Sequence, residues 1–465
     1  MKDKKKLGFF DIFNLGVGGT IGSGIFVMMG LGIAFTGRSV SLALFVGCIY
    51  MLLAYLFHPI MASMFVLPGG DYDMKAMLYG PTLTGVSAVF QVMNGLACAA
   101  YGTAIVDYVG MIFPAVLAYK KIIAVGIIVL FFALTIRGSK FMAKLNNVIT
   151  VILLVSIALF IVFGLPKVQP GYVTNEGFFV DGFGGFMMAI SILAFACQGA
   201  SITPVAMMSE TNNPKRTIPL AIPVVAAAVA IVYTLMGIVA SGVLPYEQVA
   251  GQPLTLVAQQ IFPSWLYMIF VLGGAVFAIA SSLMAFISMM KVPLLQVAKD
   301  GWLPKVFTKT TKDGYPYATQ LALLTVSVLP LLLDFSLDSI VSLTMIPTML
   351  LNCYLNFSLI KLVKEYPEQW EKSVYHMPKG VFTIVCIVAA ICDIVVAISL
   401  FMNFGSATEI IFLIGIIIFC FAVAILRLKQ GAVSKEKLME KTPPPPPTAA
   451  SSSWRSWATR SAGCR

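Results

Sequence analysis

The stretch GVGGTIGSGIF, residues 16–26, decides the fold. It lies in a strongly apolar run near 9–35, yet it carries five glycines: Gly16, Gly18, Gly19, Gly22 and Gly24. A glycine inside a helix costs about 1 kcal/mol relative to alanine, so such a cluster makes unwinding cheap in mid-span. Backbone N–H and C=O groups freed in hydrocarbon each cost several kcal/mol unless something satisfies them. A small polar ligand is one such partner. Close packing is the competing explanation, because Gly18 and Gly22 also have the spacing that lets two membrane helices touch.

The surroundings establish the class. The chain of 465 residues is 59% hydrophobic and 11% charged, whereas a soluble domain is about 25% charged. Apolar runs of about 20 residues place spans near 9–35, 39–66, 84–113, 121–136, 145–165 and 182–209. Six more fall near 218–244, 262–290, 318–334, 337–362, 380–402 and 406–426. The expectation is an all-α polytopic membrane protein with twelve transmembrane helices. Lys and Arg are retained on the cytoplasmic side of a bilayer. With MKDKKK inside, all of the 31 Lys and Arg except Arg38, Lys120, Lys121 and Lys167 fall on that side. Both termini are therefore expected in the cytoplasm, and the location is expected to be the plasma membrane.

The net charge of +11 reports this topology and contact with anionic headgroups; no basic soluble module is present, so no nucleic-acid role is expected. The first span is long, lacks a small-residue cleavage site and is followed by others, unlike a signal peptide. Cys48, Cys98, Cys197, Cys353, Cys386, Cys392 and Cys420 lie in apolar spans without metal-ligand spacing, as small buried hydrophobes do. With only His58 and His376 as histidines, no metal and no catalytic centre are expected. A sensor, the other class considered, would usually add a soluble signalling domain. Residues 429–465 end in a proline run followed by Ser, Arg and Trp, and read as a disordered tail or an artefact of the reading frame.

Transporters built from inverted repeats break the first helix of each half at mid-membrane. A second interruption does occur, in LAFACQGASITPVAMMSE, residues 193–210, where Gln198-Gly199 and then Pro204 disturb the sixth span. It lies five spans after the first. That spacing implies a five-plus-five inverted repeat with discontinuous helices 1 and 6. The halves are 9–165 and 182–362, after a terminus of residues 1–8, and two appended helices occupy 380–428.

At these residues the sequence resembles the amino acid–polyamine–organocation (APC) superfamily. Its first-helix signature is matched by Gly22-Ser23-Gly24-Ile25-Phe26, and LPGGDY, SETNNPKRTIP (209–219) and KDGWLPKVF are similar to further motifs in the same order. The resemblance covers residue 7 to about 428. It implies that N–H groups of Gly22, Ser23 and Gly24, with the Ser23 hydroxyl, hold a substrate carboxylate, as suits the positive end of a half-helix. It implies that carbonyls of Thr20, Ile21, Phe195, Ala196 and Gln198 hold the α-ammonium. Phe195 would close over the substrate from outside, and Cys197, Gln198 and Gly199 would line the pocket. No charged side chain lies at either interruption, so a small neutral or moderately apolar amino acid is expected.

The sequence also departs from the family. Many relatives carry a lysine in span five that reaches toward the first break; Leu153 or a close neighbour stands there, and 145–165 holds no Lys. Ser281 and Ser282 fall where sodium-dependent relatives place paired hydroxyls opposite first-helix carbonyls, here those of Gly18 and Ile21. Sodium is thus a possible coupling ion; the competing reading has both serines bonding to their own helix, and exchange without an ion stays open. His58 could carry a proton near neutral pH or be an interface residue. Asp107 reads as solvated at a span end, and Asp393 as remote from the breaks. Glu210 and Arg216, with Lys215, are candidates for an inner gate or for a plain turn. A partner subunit is neither required nor excluded.

Overall fold

The computed structural model describes residues 6–67, 70–136, 139–173, 176–312 and 314–433, without the side chains of Ser23, 139–147 and Glu176. The expectations for the Ser23 hydroxyl and the proline-rich tail fall outside this range. Among the described residues the regular structure is helical, and extended backbone pairs only in a parallel bridge between Leu7 and Thr211.

Among the described residues ten helical segments are long and apolar enough to cross a bilayer: Gly24–Ala54, Pro81–Gly110, Pro114–Thr135, Val148–Lys167, Gly182–Ala206, Pro214–Gly242, Ser264–Lys299, Leu337–Glu365, Lys379–Met402 and Ala407–Lys429. The twelve expected spans differ from these ten at two places. Helix Tyr317–Leu332 has 16 residues, short of the roughly 20 that cross hydrocarbon. The first two expected spans appear as one apolar run, Gly24–Ala54, of 31 residues. Within that run Gly37 has φ +66, a conformation no right-handed helix continues through.

Outward faces confirm the lipid environment. Helix Ala407–Lys429 exposes Ile411, Ile414, Ile418, Phe421 and Ile425, and helix Lys379–Met402 exposes Ile384, Val388, Ile391, Ile394 and Ile398. Each set recurs at three- and four-residue intervals, so it forms one apolar stripe per helix. In water such stripes would have to be covered. Polar ends are finished locally: Ser406 Oγ accepts from Glu409 N–H at 3.4 Å while Glu409 Oε2 accepts from Ser406 N–H at 3.2 Å, a capping box.

The first interrupted helix is held in the interior. Half-helix Phe9–Thr20 buries Ile12, Gly16 and Thr20, the one-in-four spacing of a single face. A Cβ on Gly16 would lie 2.7 Å from Val225, and one on Gly19 would lie 2.8 Å from Thr203. Glycine thus lets this half-helix lie directly on helices Gly199–Ala206 and Pro214–Gly242. Leu7 ties the same end to the chain after Gly199–Ala206, donating to the Glu210 carbonyl at 2.9 Å and accepting from Asn212 at 2.8 Å.

Candidate functional site

The first break is a two-residue gap between Phe9–Thr20 and Ser23–Thr36. Ile21 is extended (φ −74, ψ 96) and Gly22 lies at φ −155, ψ −137. Ile21 N–H still reaches the Val17 carbonyl at 2.8 Å, so the first half-helix ends cleanly before its chain straightens. Beyond Gly22 the N-terminus of Ser23–Thr36 opens toward the gap. Its first-turn N–H groups have no preceding turn to bond, and they add the partial positive charge of a helix start.

The second interruption is milder than the sequence implies. Helix Gly182–Cys197 stops, Gly199–Ala206 begins, and Gln198 between them keeps helical angles, φ −64 and ψ −26. Two features loosen it nonetheless. Pro204 has no N–H to offer the turn before it, and the Gln198 side chain bends back so that Nε2 donates to the Phe195 carbonyl at 3.3 Å.

The two interruptions meet. A Cβ on Gly24 would lie 2.6 Å from Ala196 Cα, and a Cβ on Gly199 would lie 3.0 Å from Thr20 Cα. Each break therefore places a glycine against the backbone of the other. Tyr233, from helix Pro214–Gly242, joins them: its hydroxyl lies 2.8 Å from the Thr20 carbonyl and 3.3 Å from the Ala196 carbonyl. Both are carbonyls expected to face an ammonium. A single O–H proton serves one of them at a time, so a cationic donor arriving between the breaks finds acceptor capacity there.

The other expected residues are placed as follows. Phe195 is buried and its ring centroid stands 6.0 Å from that of Tyr101. The Cys197 thiol meets the Cys48 thiol at 3.4 Å. Gln198 Oε1 accepts from the Tyr55 hydroxyl at 3.0 Å. Gly18 and Gly22 do not share one packing partner: a Cβ on Gly18 would lie 3.1 Å from the Thr150 methyl, while Gly22 faces the Ser282 hydroxyl. Ser282 therefore does stand at the first break, whereas Gly18 looks to the helix of Thr150. Ser281 is buried beside it, and Leu153 is buried in the helix that bears Thr150. Glu210 and Arg216 are exposed, and among the described residues no ion pair joins them.

Three polar residues have surroundings the sequence did not anticipate. His58 is fully buried, and its Nε2 lies 2.9 Å from Asp71 Oδ1, whose other oxygen meets Lys75 Nζ at 2.7 Å. Burial pushes the Asp71 carboxyl up, but the Lys75 charge and the His58 hydrogen bond outweigh it and hold the group below the usual carboxylate range. Asp107 pairs with Lys120 at 2.6 Å. Asp393 is fully buried and bonded to Asn356 at 2.8 Å.

Tyr233 and Tyr55 were missed. Each is a lone hydroxyl-bearing aromatic in an apolar stretch, AIVYTLMG and LLAYLFHP, and a buried tyrosine hydroxyl needs a partner. That signal announces a polar contact without naming what it contacts.

An all-helical membrane protein whose interrupted helices meet at bare peptide groups belongs to the polytopic carriers. The chain belongs to the amino acid permease family, whose sequence pattern matches residues 7–423. It is 26% identical to the branched-chain amino acid permease BcaP of Bacillus subtilis over 387 residues, 78% of this chain and 82% of that protein. Human cationic amino acid transporter 4 is 26% identical over 385 residues, 77% of this chain and 60% of that protein. The methylthioribose transporter of B. subtilis is 26% identical over 326 residues, 66% and 69% respectively. All are APC superfamily members or transporters, not enzymes, and the present chain is a multi-pass membrane protein of amino acid transport.

Proposed function

We propose that this protein is a secondary transporter that carries a small neutral or moderately apolar amino acid by alternating access. The observation that carries the reading is the contact between breaks, Gly24 against Ala196 and Gly199 against Thr20, with Tyr233 reaching both. N–H groups of Gly22, Ser23 and Gly24 bind the carboxylate. Carbonyls of Thr20, Ile21, Phe195, Ala196 and Gln198 receive the ammonium. Phe195 and Tyr101 close the pocket on the side-chain end of the substrate. The apolar lining favours an aliphatic side chain, in keeping with the branched-chain substrate in the name of the B. subtilis permease.

The breaks touch at Gly24–Ala196 and Gly199–Thr20, and in this reading the half-helices part there to take the substrate. We assign 9–165 and 182–362 to two inverted repeats of five helices, with Tyr317–Leu332 and a division of Gly24–Ala54 at Gly37 completing twelve. Both termini lie in the cytoplasm, and the location is the plasma membrane. Sodium coupling draws support from Ser282 at Gly22, but Gly18 faces Thr150 rather than the serines. Exchange without an ion is the alternative.

The test is a thermal-shift screen of the purified protein against the common L- and D-amino acids, with and without sodium, followed by uptake into proteoliposomes. Stabilisation by an aliphatic L-amino acid, lost in Gly24→Leu, supports the assignment. Stabilisation by amines that lack a carboxylate, or wild-type uptake by Gly24→Leu, overturns it.

A further inference from the structure

Asp393 sits in the middle of helix Lys379–Met402 with no solvent exposure. Other buried acids are richly satisfied. Asp300 accepts from the Tyr72 hydroxyl and from Gln296, each at 2.8 Å, and Glu409 accepts from two backbone N–H groups and from Ser339. Among the described residues Asp393 receives one neutral donor, Asn356 Nδ2, at Oδ2, and its Oδ1 has no partner. Among the described residues no ion pair includes it. Its titratable neighbours are Tyr55, Tyr79 and Cys353, with Cys392 beside it bonded to Tyr50; Cys48 and Cys197, on the adjoining helices, bond each other. None is a cation.

The partner amide shows the same deficit. Asn356 donates from Nδ2 to Asp393 and to the Ala54 carbonyl, at 2.8 and 3.1 Å, while its own Oδ1 has no partner. A carboxylate would therefore leave two unpaired acceptors, one on each residue, in a dry interior, a costly arrangement. A proton on Asp393 Oδ1 would remove the charge and supply the donor that the Asn356 Oδ1 lacks, so that acid and amide would pair through two hydrogen bonds instead of one.

The pair is connected to the second break. Asn356 holds the Ala54 carbonyl at the end of helix Val40–Ala54. The next residue, Tyr55, grips Gln198 at 3.0 Å, and Gln198 bonds the Phe195 carbonyl at 3.3 Å. Asn352, one turn from Asn356, faces the same Tyr55 hydroxyl. The sequence alone makes Asp393 remote from the breaks. The fold instead joins it to them through Asn356, Ala54–Tyr55 and Gln198.

We infer that Asp393 binds and releases a coupling proton, and that its protonation state is transmitted to the substrate site through Asn356, Tyr55 and Gln198. Loss of the proton removes the O–H bond and sets the Asn356 oxygen against a charged carboxylate, so Asn356 turns to keep only its N–H toward Asp393, and the Ala54–Tyr55 segment it holds shifts with it. Asp393 is a positioning residue, since it touches no substrate. The inference rests on the transport reading above.

Two measurements on the full-length protein in liposomes test it. Infrared spectroscopy of the wild type at neutral pH should show the C=O stretch of a protonated carboxylic acid, shifted in heavy water and absent from Asp393→Asn. If that substitution removes no such band, the proton site is refuted. In transport, Asp393→Asn should keep amino acid exchange within about twofold while losing accumulation driven by an inward proton gradient, and its exchange rate should no longer vary with pH. Equal gradient-driven accumulation by wild type and variant overturns the coupling. Absence of exchange by the wild type counts against the transport reading alone, and the infrared comparison still decides whether Asp393 holds a proton.

Discussion

Gly24 is set against Ala196 so closely that a single added carbon would lie 2.6 Å from the alanine Cα. The obstructing atom is main chain, which cannot swing aside as a flexible side-chain tip does. The contact also joins segments far apart in the chain, so it reports how the two interruptions are brought together.

Gly24→Ala is expected to cost about 1–3 kcal/mol, the range for forcing a methyl group into a filled interior, and to reduce amino acid uptake by at least tenfold. Gly126 provides the contrast: it lies in helix Lys120–Thr135 with nothing within 4 Å of an added Cβ. Gly126→Ala should leave uptake unchanged and raise stability by up to about 1 kcal/mol through helix propensity. Thermal unfolding in detergent and uptake in proteoliposomes measure both.

Tyr233→Phe keeps the ring and removes the hydroxyl that reaches the Thr20 and Ala196 carbonyls. The expected loss is about 1–3 kcal/mol for the buried acceptor left behind. Substrate-induced stabilisation should change as well, because the same two carbonyls are assigned to the ammonium. An unaltered apparent affinity would show that the ammonium is held elsewhere.

Sodium dependence separates the two readings of Ser282. If the ion is held at the first break, replacing sodium by choline abolishes uptake and Ser282→Ala raises the sodium requirement at least tenfold. Equal uptake in the two salts removes sodium from the mechanism and leaves the hydroxyl a packing contact with Gly22.

The Asp71 carboxylate is held below its ordinary range against the upward push of burial by Lys75 and His58. A depressed acid stabilises the fold above its unfolded pKa, about 3.9, and loses that contribution as pH falls through the folded value. Asp71→Asn should therefore lower the melting temperature by a constant amount from about pH 8 to about pH 5. The gap should close only in strong acid. A gap that closes near neutral pH would mean that His58, not Asp71, governs the cluster.

Much of the architecture was legible because the bilayer imposes local rules. A run of apolar residues has to hydrogen-bond within itself, so spans could be placed from residues adjacent in the chain. The glycine cluster at 16–24 marked the first break for the same reason, and Ile21–Gly22 is where the helix parts. Gln198 was a weaker signal, and there the chain keeps helical angles while its side chain supplies the loosening. Helix Tyr317–Leu332, at 16 residues, and the turn at Gly37 show the limit of counting apolar residues, which fixes neither how long a helix is nor where it turns.

From the sequence alone came the membrane class, the helical content, the two interrupted stretches and the family resemblance, all of which depend on residue type and short-range spacing. The tertiary structure alone decided that Tyr233 spans both interruptions, that Cys197 faces Cys48, and that Asp393 bonds Asn356, which in turn holds the Ala54 carbonyl next to Tyr55 and its partner Gln198. These are contacts between segments separated by 37 to 302 positions. Inside a bilayer, hydrophobicity says only that a side chain avoids water. Which helix a polar group turns toward is set by close packing and by where another unsatisfied atom lies.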